Sequence, residues 1–227
     1  MPISKETLDF LVENRLQNSR DWFHEHKSTY QEVVLAPLTE LVEKLAPVMW
    51  EIDPLLITTP KVCKTISRIY RDTRYTKDKS LYREVMWIAF TRDKKQYDSP
   101  CGFVMEFSPN GFRYGCGYWQ APPDVMGALR ELILKSDPAF RAAKKAYESQ
   151  DVFQLEGDCY KRSRFQDQPQ ELQQWLDRKN IDLMHNSKDF SLLFSDRLAD
   201  VLIRDFPLLK PVYELFLRAE MLARHPQ

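Results

Sequence analysis

No stretch of this chain approaches the roughly 18–20 consecutive apolar residues that cross a bilayer, so a membrane-spanning protein is not expected. The first residues carry no basic region followed by an apolar run, so no secretory signal is expected, and the expected location is the cytoplasm. Cysteine is scarce: Cys63, Cys101, Cys116 and Cys159 lie far apart and none forms a C-x-x-C pair. Structural zinc sites usually show closely spaced ligand pairs, and disulfides are rare in the cytoplasm, so the expectation is four reduced and mostly buried thiols. His24 and His26 are two residues apart, which on a helix turns them to different faces, and His185 and His225 stand alone. No metal site is therefore expected. The nucleophile elbow, the phosphate-cradling loop, the dinucleotide fingerprint and the H-E-x-x-H pair are all missing. Nothing points to a cofactor, and no catalytic residue follows from the sequence. No Gly/Ser linker, repeat or low-complexity tract marks a boundary.

What is present suits a single core. The 227 residues are 43% apolar, enough for one compact domain that is helical over 1–55, sheet over 60–120 and helical again over 122–227. Formal net charge is zero, which argues against general nucleic-acid binding. The charge is uneven, however. Residues 61–83 hold Lys61, Lys64, Arg68, Arg71, Arg74, Lys77, Lys79 and Arg83 against only Asp72 and Asp78. Such a local excess attracts small anions.

The apolar spacing predicts the elements. Ser4 caps a helix over about 5–16, and Asn18 or Ser19 caps a second carrying Trp22, Phe23 and Tyr30. Pro37 falls in the first turn of a third helix or kinks the second; the third ends at Asp53-Pro54. Residues 62–70 read as a strand and 71–80 as a loop. Residues 84–91, apolar on both faces, read as a central strand. Phe103, Met105 and Phe107 alternate, the Asn110-Gly111 turn follows, and Phe112, Tyr114, Cys116 and Tyr118 alternate on the return. This is an antiparallel meander of about four strands. Further extended pieces are expected near 152–155 and 182–189, with helices near 122–135, 138–149, 168–179, 191–205 and 209–224. The class is α+β: N-terminal helices, a central antiparallel meander and C-terminal helices.

The chemistry concentrates in R-I-Y-R-D-T-R-Y-T-K-D-K-S-L-Y-R, Arg68 to Arg83. Arginine's planar fork matches pairs of carboxylate or phosphate oxygens. Arg68, Arg71 and Arg74, with Lys77 or Lys79, read as a site for a small anionic ligand. Asp72, Asp78 and Tyr82 are the nearest acids and bases should that site be catalytic. The other reading is an internal ion-pair network in a structural or protein-interaction domain. Tyr70, Tyr75 and Tyr82 could stack on bases, a nucleic-acid reading that the zero net charge disfavours. Three of only six glycines fall between 111 and 117. Gly115 and Gly117 mark a close approach or make room for a packed helix. Trp119, beside them, forms a pocket wall or belongs to the core.

Two segments resemble signatures of a large, mainly bacterial domain-of-unknown-function family, N-x-R-D-W-F and R-I-x-R-D-x-R-[FY]-x-K-D-K. They are Asn18 to Tyr30 and Arg68 to Arg83; Gly117 to Pro122 and Arg130 are similar to the family as well. The resemblance carries over Trp22, Phe23, Lys27 and Tyr30 from the first segment. From the second it carries over Arg68, Arg71, Asp72, Arg74, Lys77, Asp78, Lys79 and Tyr82. It implies a cytoplasmic domain and no particular activity. The chain departs from the family pattern after Lys161-Arg162, where Ser163-Arg164-Phe165 replaces a Pro and a Gly.

Overall fold

Ser4 opens the first helix, α1 (Lys5–Gln17), with a reciprocal cap. Its Oγ accepts the Thr7 N–H at 3.3 Å, and Thr7 Oγ1 accepts the Ser4 N–H at 3.1 Å. Asn18 ends the helix in the left-handed region, at φ 47°. Ser19 then caps α2 (Arg20–Glu25). α3 (Lys27–Tyr30) runs through a π-helical turn, Gln31–Leu35, into α4 (Ala36–Ile52), which has Pro37 in its first turn. Pro37 has no N–H to donate to the Val33 carbonyl four residues back. That carbonyl instead accepts the buried Thr7 hydroxyl at 2.6 Å, so the interruption ties α4 to α1. These positions come from a computed structural model that describes residues 2–93, 95 and 100–224; His225 lies outside them.

Five strands form one antiparallel sheet in the order β1-β2-β3-β5-β4. They are β1 (Met86–Thr91), β2 (Gly102–Ser108), β3 (Gly111–Gly117), β4 (Gln154–Glu156) and β5 (Asp182–Ser187). The helices between and after them are α5 (Pro123–Leu134), α6 (Pro138–Glu148), α7 (Gln170–Leu176), α8 (Phe190–Leu193), α9 (Arg197–Asp205) and α10 (Lys210–Arg224), the last entered through a 3-10 turn. The α+β class holds, with five strands against a meander of about four: β4 and β5 fall at the extended pieces expected near 152–155 and 182–189. No helix among the described residues is long and apolar enough to cross a membrane.

Two expectations about the sheet are corrected. Residues 62–70 are not a strand. A tight turn at 61–66, closed by Cys63 N–H to Ile66 O at 2.9 Å, folds that segment on itself. Only 65–67 run beside β1, through Ser67 N–H to Trp87 O at 2.9 Å and Ala89 N–H to Thr65 O at 2.8 Å. β1 in turn is the end strand of the sheet order rather than a central one, and its burial alternates. Its outward Trp87 is apolar because the Arg83 guanidinium lies over the ring, 4.6 Å from its centre. Gly115 and Gly117 make room for strand β5, not for a helix. A Cβ on Gly115 would overlap the Leu183 carbonyl oxygen, and one on Gly117 would stand 2.5 Å from Asp182 Cα.

By contacts the chain forms two compact units. The first comprises the chain up to Phe90, Val104–Tyr114 and Asn186–Ile203; the second comprises Thr91–Phe103, Gly115–His185 and the chain from Arg204. In the first, Leu11 of α1, Val34 of the π-helical turn and Leu38, Val42, Leu45 and Met49 of α4 are fully buried. In the second, α10 packs on α5 and α6. Asp137 joins two of these helices: it caps α6 through Ala139 N–H at 2.9 Å and takes both arms of Arg218, at 2.9 and 2.7 Å. Glu220 is buried, accepting the Cys101 N–H at 2.9 Å and the Tyr118 hydroxyl at 3.0 Å.

The thiols divide evenly, against the expectation that most are buried: Cys101 and Cys116 are enclosed, Cys63 and Cys159 exposed. Burial, then the nearby Glu220, pushes the Cys101 thiol up; burial, then Asp182, does the same to Cys116. Titration of the native protein with a chromogenic disulfide at pH 8 should therefore release two equivalents quickly and two more only on unfolding. Fast release of all four would contradict the enclosed positions.

Candidate functional site

The arginine-rich segment is a hairpin. Arg71 N–H donates to Leu81 O at 2.8 Å, Arg83 N–H donates to Ile69 O at 3.0 Å, and Tyr70 pairs with Tyr82 between them. The loop that joins the two arms is shaped by its two aspartates. Asp72 Oδ1 accepts the Arg74 N–H at 3.2 Å and Asp78 Oδ1 accepts the Ser80 N–H at 2.9 Å, each closing a turn two residues on.

The same carboxylates hold arginines. Asp72 takes the fork of Arg74 in two bonds, at 2.9 and 2.6 Å. Asp78 is shared between Arg71 and Arg15 of α1, the latter at 3.2 Å. Arg71 also donates to Ser80 Oγ at 3.1 Å, and Lys79 to the Thr73 carbonyl at 2.7 Å. The Arg74 hydrogen bonds hold the Asp72 carboxyl well below the usual carboxylate range. Those from Ser80, ahead of the charge of Arg71 and the hydrogen bond from Arg15, do the same for Asp78.

The hairpin is seated on the N-terminal helices by Asn18, Phe23 and Tyr30 of the first signature segment and by Arg15, which sequence reasoning did not single out. Asn18 accepts the Leu81 N–H on its side-chain oxygen at 2.7 Å, using the carboxamide that its left-handed backbone turns outward. Arg15 reaches the Tyr82 carbonyl at 3.4 Å and Glu84 at 3.6 Å. Phe23 wedges between the arms, its ring centre 5.7 Å from Tyr70 and 5.2 Å from Tyr82, with Tyr30 behind it at 5.3 Å. The two signature segments, some fifty residues apart, therefore meet. The one local signal for Arg15 was a basic side chain in the last turn of a helix, which by itself only complements the helix dipole.

The candidate residues have different places in this arrangement. Arg71, Asp72, Arg74, Lys79 and Tyr82 are committed to the hairpin. Tyr82 is fully buried in the aromatic wedge, and burial, then Tyr70, pushes its phenol up to about 12; Tyr30 rises to about 12 for the same reasons. Arg68 and Lys77 are exposed and make no hydrogen bond or ion pair among the described residues. Lys27 is also exposed. Arg83 lies half-buried over Trp87, donates to the Tyr70 carbonyl at 2.9 Å, and has a buried Nε with no partner among the described residues. Burial, then the like charges of Arg68 and Arg71, holds its guanidinium below the ordinary value. Trp119 belongs to the second unit and is 85% exposed, so it is not core.

Chemically, this is a cationic surface on a stiff support. Asp72 and Asp78 are weak proton acceptors, and Tyr82 holds its proton firmly, so none of the three is poised for acid–base work at neutral pH. Among the described residues, no three His, Cys, Asp or Glu side chains converge to hold a metal ion.

Fold and site together define an α+β protein with an arginine-rich hairpin clamped to its N-terminal helices. Over residues 6–215 the chain matches the model of the conserved hypothetical protein family DUF2461, and it belongs to that family. No curated protein and no solved structure matches it.

Proposed function

We propose that the hairpin binds a small anionic ligand, bearing phosphate or carboxylate groups, on the cations that the internal pairs leave over. One observation carries this reading. Of the eight basic side chains between Lys61 and Arg83, only Arg71 and Arg74 have a carboxylate partner among the described residues. Two aspartates stiffen the loop without neutralising it. Arg68, Arg71 and Arg83 remain within electrostatic reach of one another, an arrangement that an anion would relieve. A nucleic-acid partner is disfavoured by the zero net charge and by the burial of Tyr82, which removes one of three stacking surfaces.

A second reading is favoured by the shared Asp78, which links Arg71 to Arg15 on α1: the hairpin acts as a clasp in a structural or protein-interaction domain. A thermal-shift screen separates the two, with phosphate, sugar phosphates and di- and tricarboxylates compared at constant ionic strength. Under ligand binding, one class of compound raises the Tm of the wild type. Arg68→Ala, which breaks no contact, keeps the wild-type Tm but loses that rise. Arg71→Ala lowers the Tm by a few degrees, because its pairs are partly exposed and screened. A flat response to the whole panel would eliminate the ligand reading and leave the clasp.

A further inference from the structure

A second set of cations gathers around one aromatic ring in the second unit. The Arg164 guanidinium carbon stands 3.9 Å from the centre of the Tyr160 ring, that of Arg130 stands at 5.6 Å, and the Lys179 ammonium at 5.7 Å. Lys161 and Arg162 follow Tyr160 directly and are exposed. The frame beneath is rigid. Tyr160 N–H donates to Asp177 O at 2.9 Å, and its hydroxyl accepts from Arg130 at 3.3 Å. Arg130 is clamped by the carbonyls of Leu176 at 3.0 Å and Arg178 at 2.6 Å. Arg178 directs its guanidinium at the carbonyls of Leu155, Gly157 and Gln174, at 2.9, 2.7 and 3.1 Å. Gly157, at φ 115°, packs so closely on Asn180 that a Cβ would overlap the Asn180 carbonyl oxygen.

Carbonyl partners satisfy the N–H groups and leave the charge in place. Among the described residues, none of Arg130, Lys161, Arg162, Arg164, Arg178 and Lys179 pairs with a carboxylate. Asp158 and Asp177 lie in the same loops and do not form ion pairs either. Asp177 Oδ1 accepts the Arg164 N–H at 3.0 Å, and the Asp158 carbonyl accepts that of Lys179. Like charges held this close repel one another, and a multiply charged anion among them would reverse the sign of that interaction. Asn180, next to Lys179, grips the turn that carries the exposed Trp119, donating to Tyr118 O at 3.1 Å and accepting the Ala121 N–H at 2.8 Å.

We infer that the Tyr160 cluster is a binding site for a di- or polyphosphate group, with Arg164 and Lys179 as its movable cations and Arg130 as a fixed one. Its residues all belong to the second unit, and none of them is in the hairpin. Arg164 and Lys179 make no side-chain hydrogen bond among the described residues, so substituting them removes charge and leaves the frame intact.

Isothermal titration of the full chain carrying Arg68→Ala, which removes an exposed cation of the hairpin, tests the inference with inorganic pyrophosphate and with ADP at constant ionic strength. Binding is expected with both. Arg164→Ala and Lys179→Ala should each weaken it roughly tenfold with the Tm unchanged, as loss of a charge-assisted contact implies. Arg162→Gln serves as an alternative should either variant lose its cooperative melt. Tighter binding of ADP than of pyrophosphate, lost in Trp119→Ala, would identify a nucleotide as the source of the phosphate; equal binding would identify an inorganic polyphosphate. Absence of heat with both probes, or affinity untouched by all three charge substitutions, would overturn the assignment.

Discussion

Replacing Gly115 with alanine should destabilise the protein by about 3 kcal/mol and lower the Tm by roughly 6–12 °C. The added methyl would overlap the Leu183 carbonyl oxygen and lie 2.8 Å from Met184 Sδ. The sulfur can rotate away, but the carbonyl belongs to the backbone of β5 and can yield only if the strands part. Parting them strains the ladder between β3 and β5 and opens a buried face of the sheet. Gly127→Ala is the matching control. That glycine lies inside α5 with nothing within 4 Å of a Cβ, so alanine there should stabilise by about 0.5–1 kcal/mol. Urea titrations followed by circular dichroism read both changes. A wild-type midpoint for Gly115→Ala would mean that β3 and β5 do not approach at that position.

Glu220→Ala is the second substitution with a large expected effect. The residue is 4% exposed and has no cation partner among the described residues. Its carboxylate is the acceptor for two buried donors, the Cys101 N–H and the Tyr118 hydroxyl, the latter also 3.4 Å from the Phe216 carbonyl. Burying a donor without a partner costs about 1–3 kcal/mol, so two of them put the expected loss at about 2–5 kcal/mol. Glu220→Gln keeps an acceptor oxygen in place and removes a desolvated charge, so its cost should be well under half as large. Equal unfolding midpoints for the two variants would show that acceptance of these hydrogen bonds is not what holds α10 to Cys101 and Tyr118.

Periodicity and caps made the helices legible. Ser4 announces α1, Pro37 opens α4 and Asp53 closes it, because each acts through its own backbone within one turn. The Asn110-Gly111 turn was legible for the same reason. The meander's neighbours were harder. The pairing of β5 with β3 depends on chain returning from far along the sequence, and only the glycines at 115 and 117 hinted at it, without saying whether strand or helix would fill the space. The false strand at 62–70 arose because polar and apolar residues mix there as in a half-buried strand, while the Cys63 turn, at φ 67° in a residue that rarely adopts it, left no mark in the sequence. The arginine-rich loop was found from composition alone. Its two aspartates divide it into committed and uncommitted cations, and its further contacts to Arg15 and Asn18 come from 63 residues upstream.

The short 65–67 segment beside β1 also bears on how this protein can meet others. An end strand with free N–H and C=O groups invites a strand from a second molecule, which is the route to edge-to-edge aggregation. Here Thr65 and Ser67 already take the outward hydrogen bonds at Trp87 and Ala89. At the opposite end of the sheet order, β4 is only three residues long, less than a foreign strand needs for purchase. Among the described residues, the two ends of the sheet order thus offer little template for strand addition.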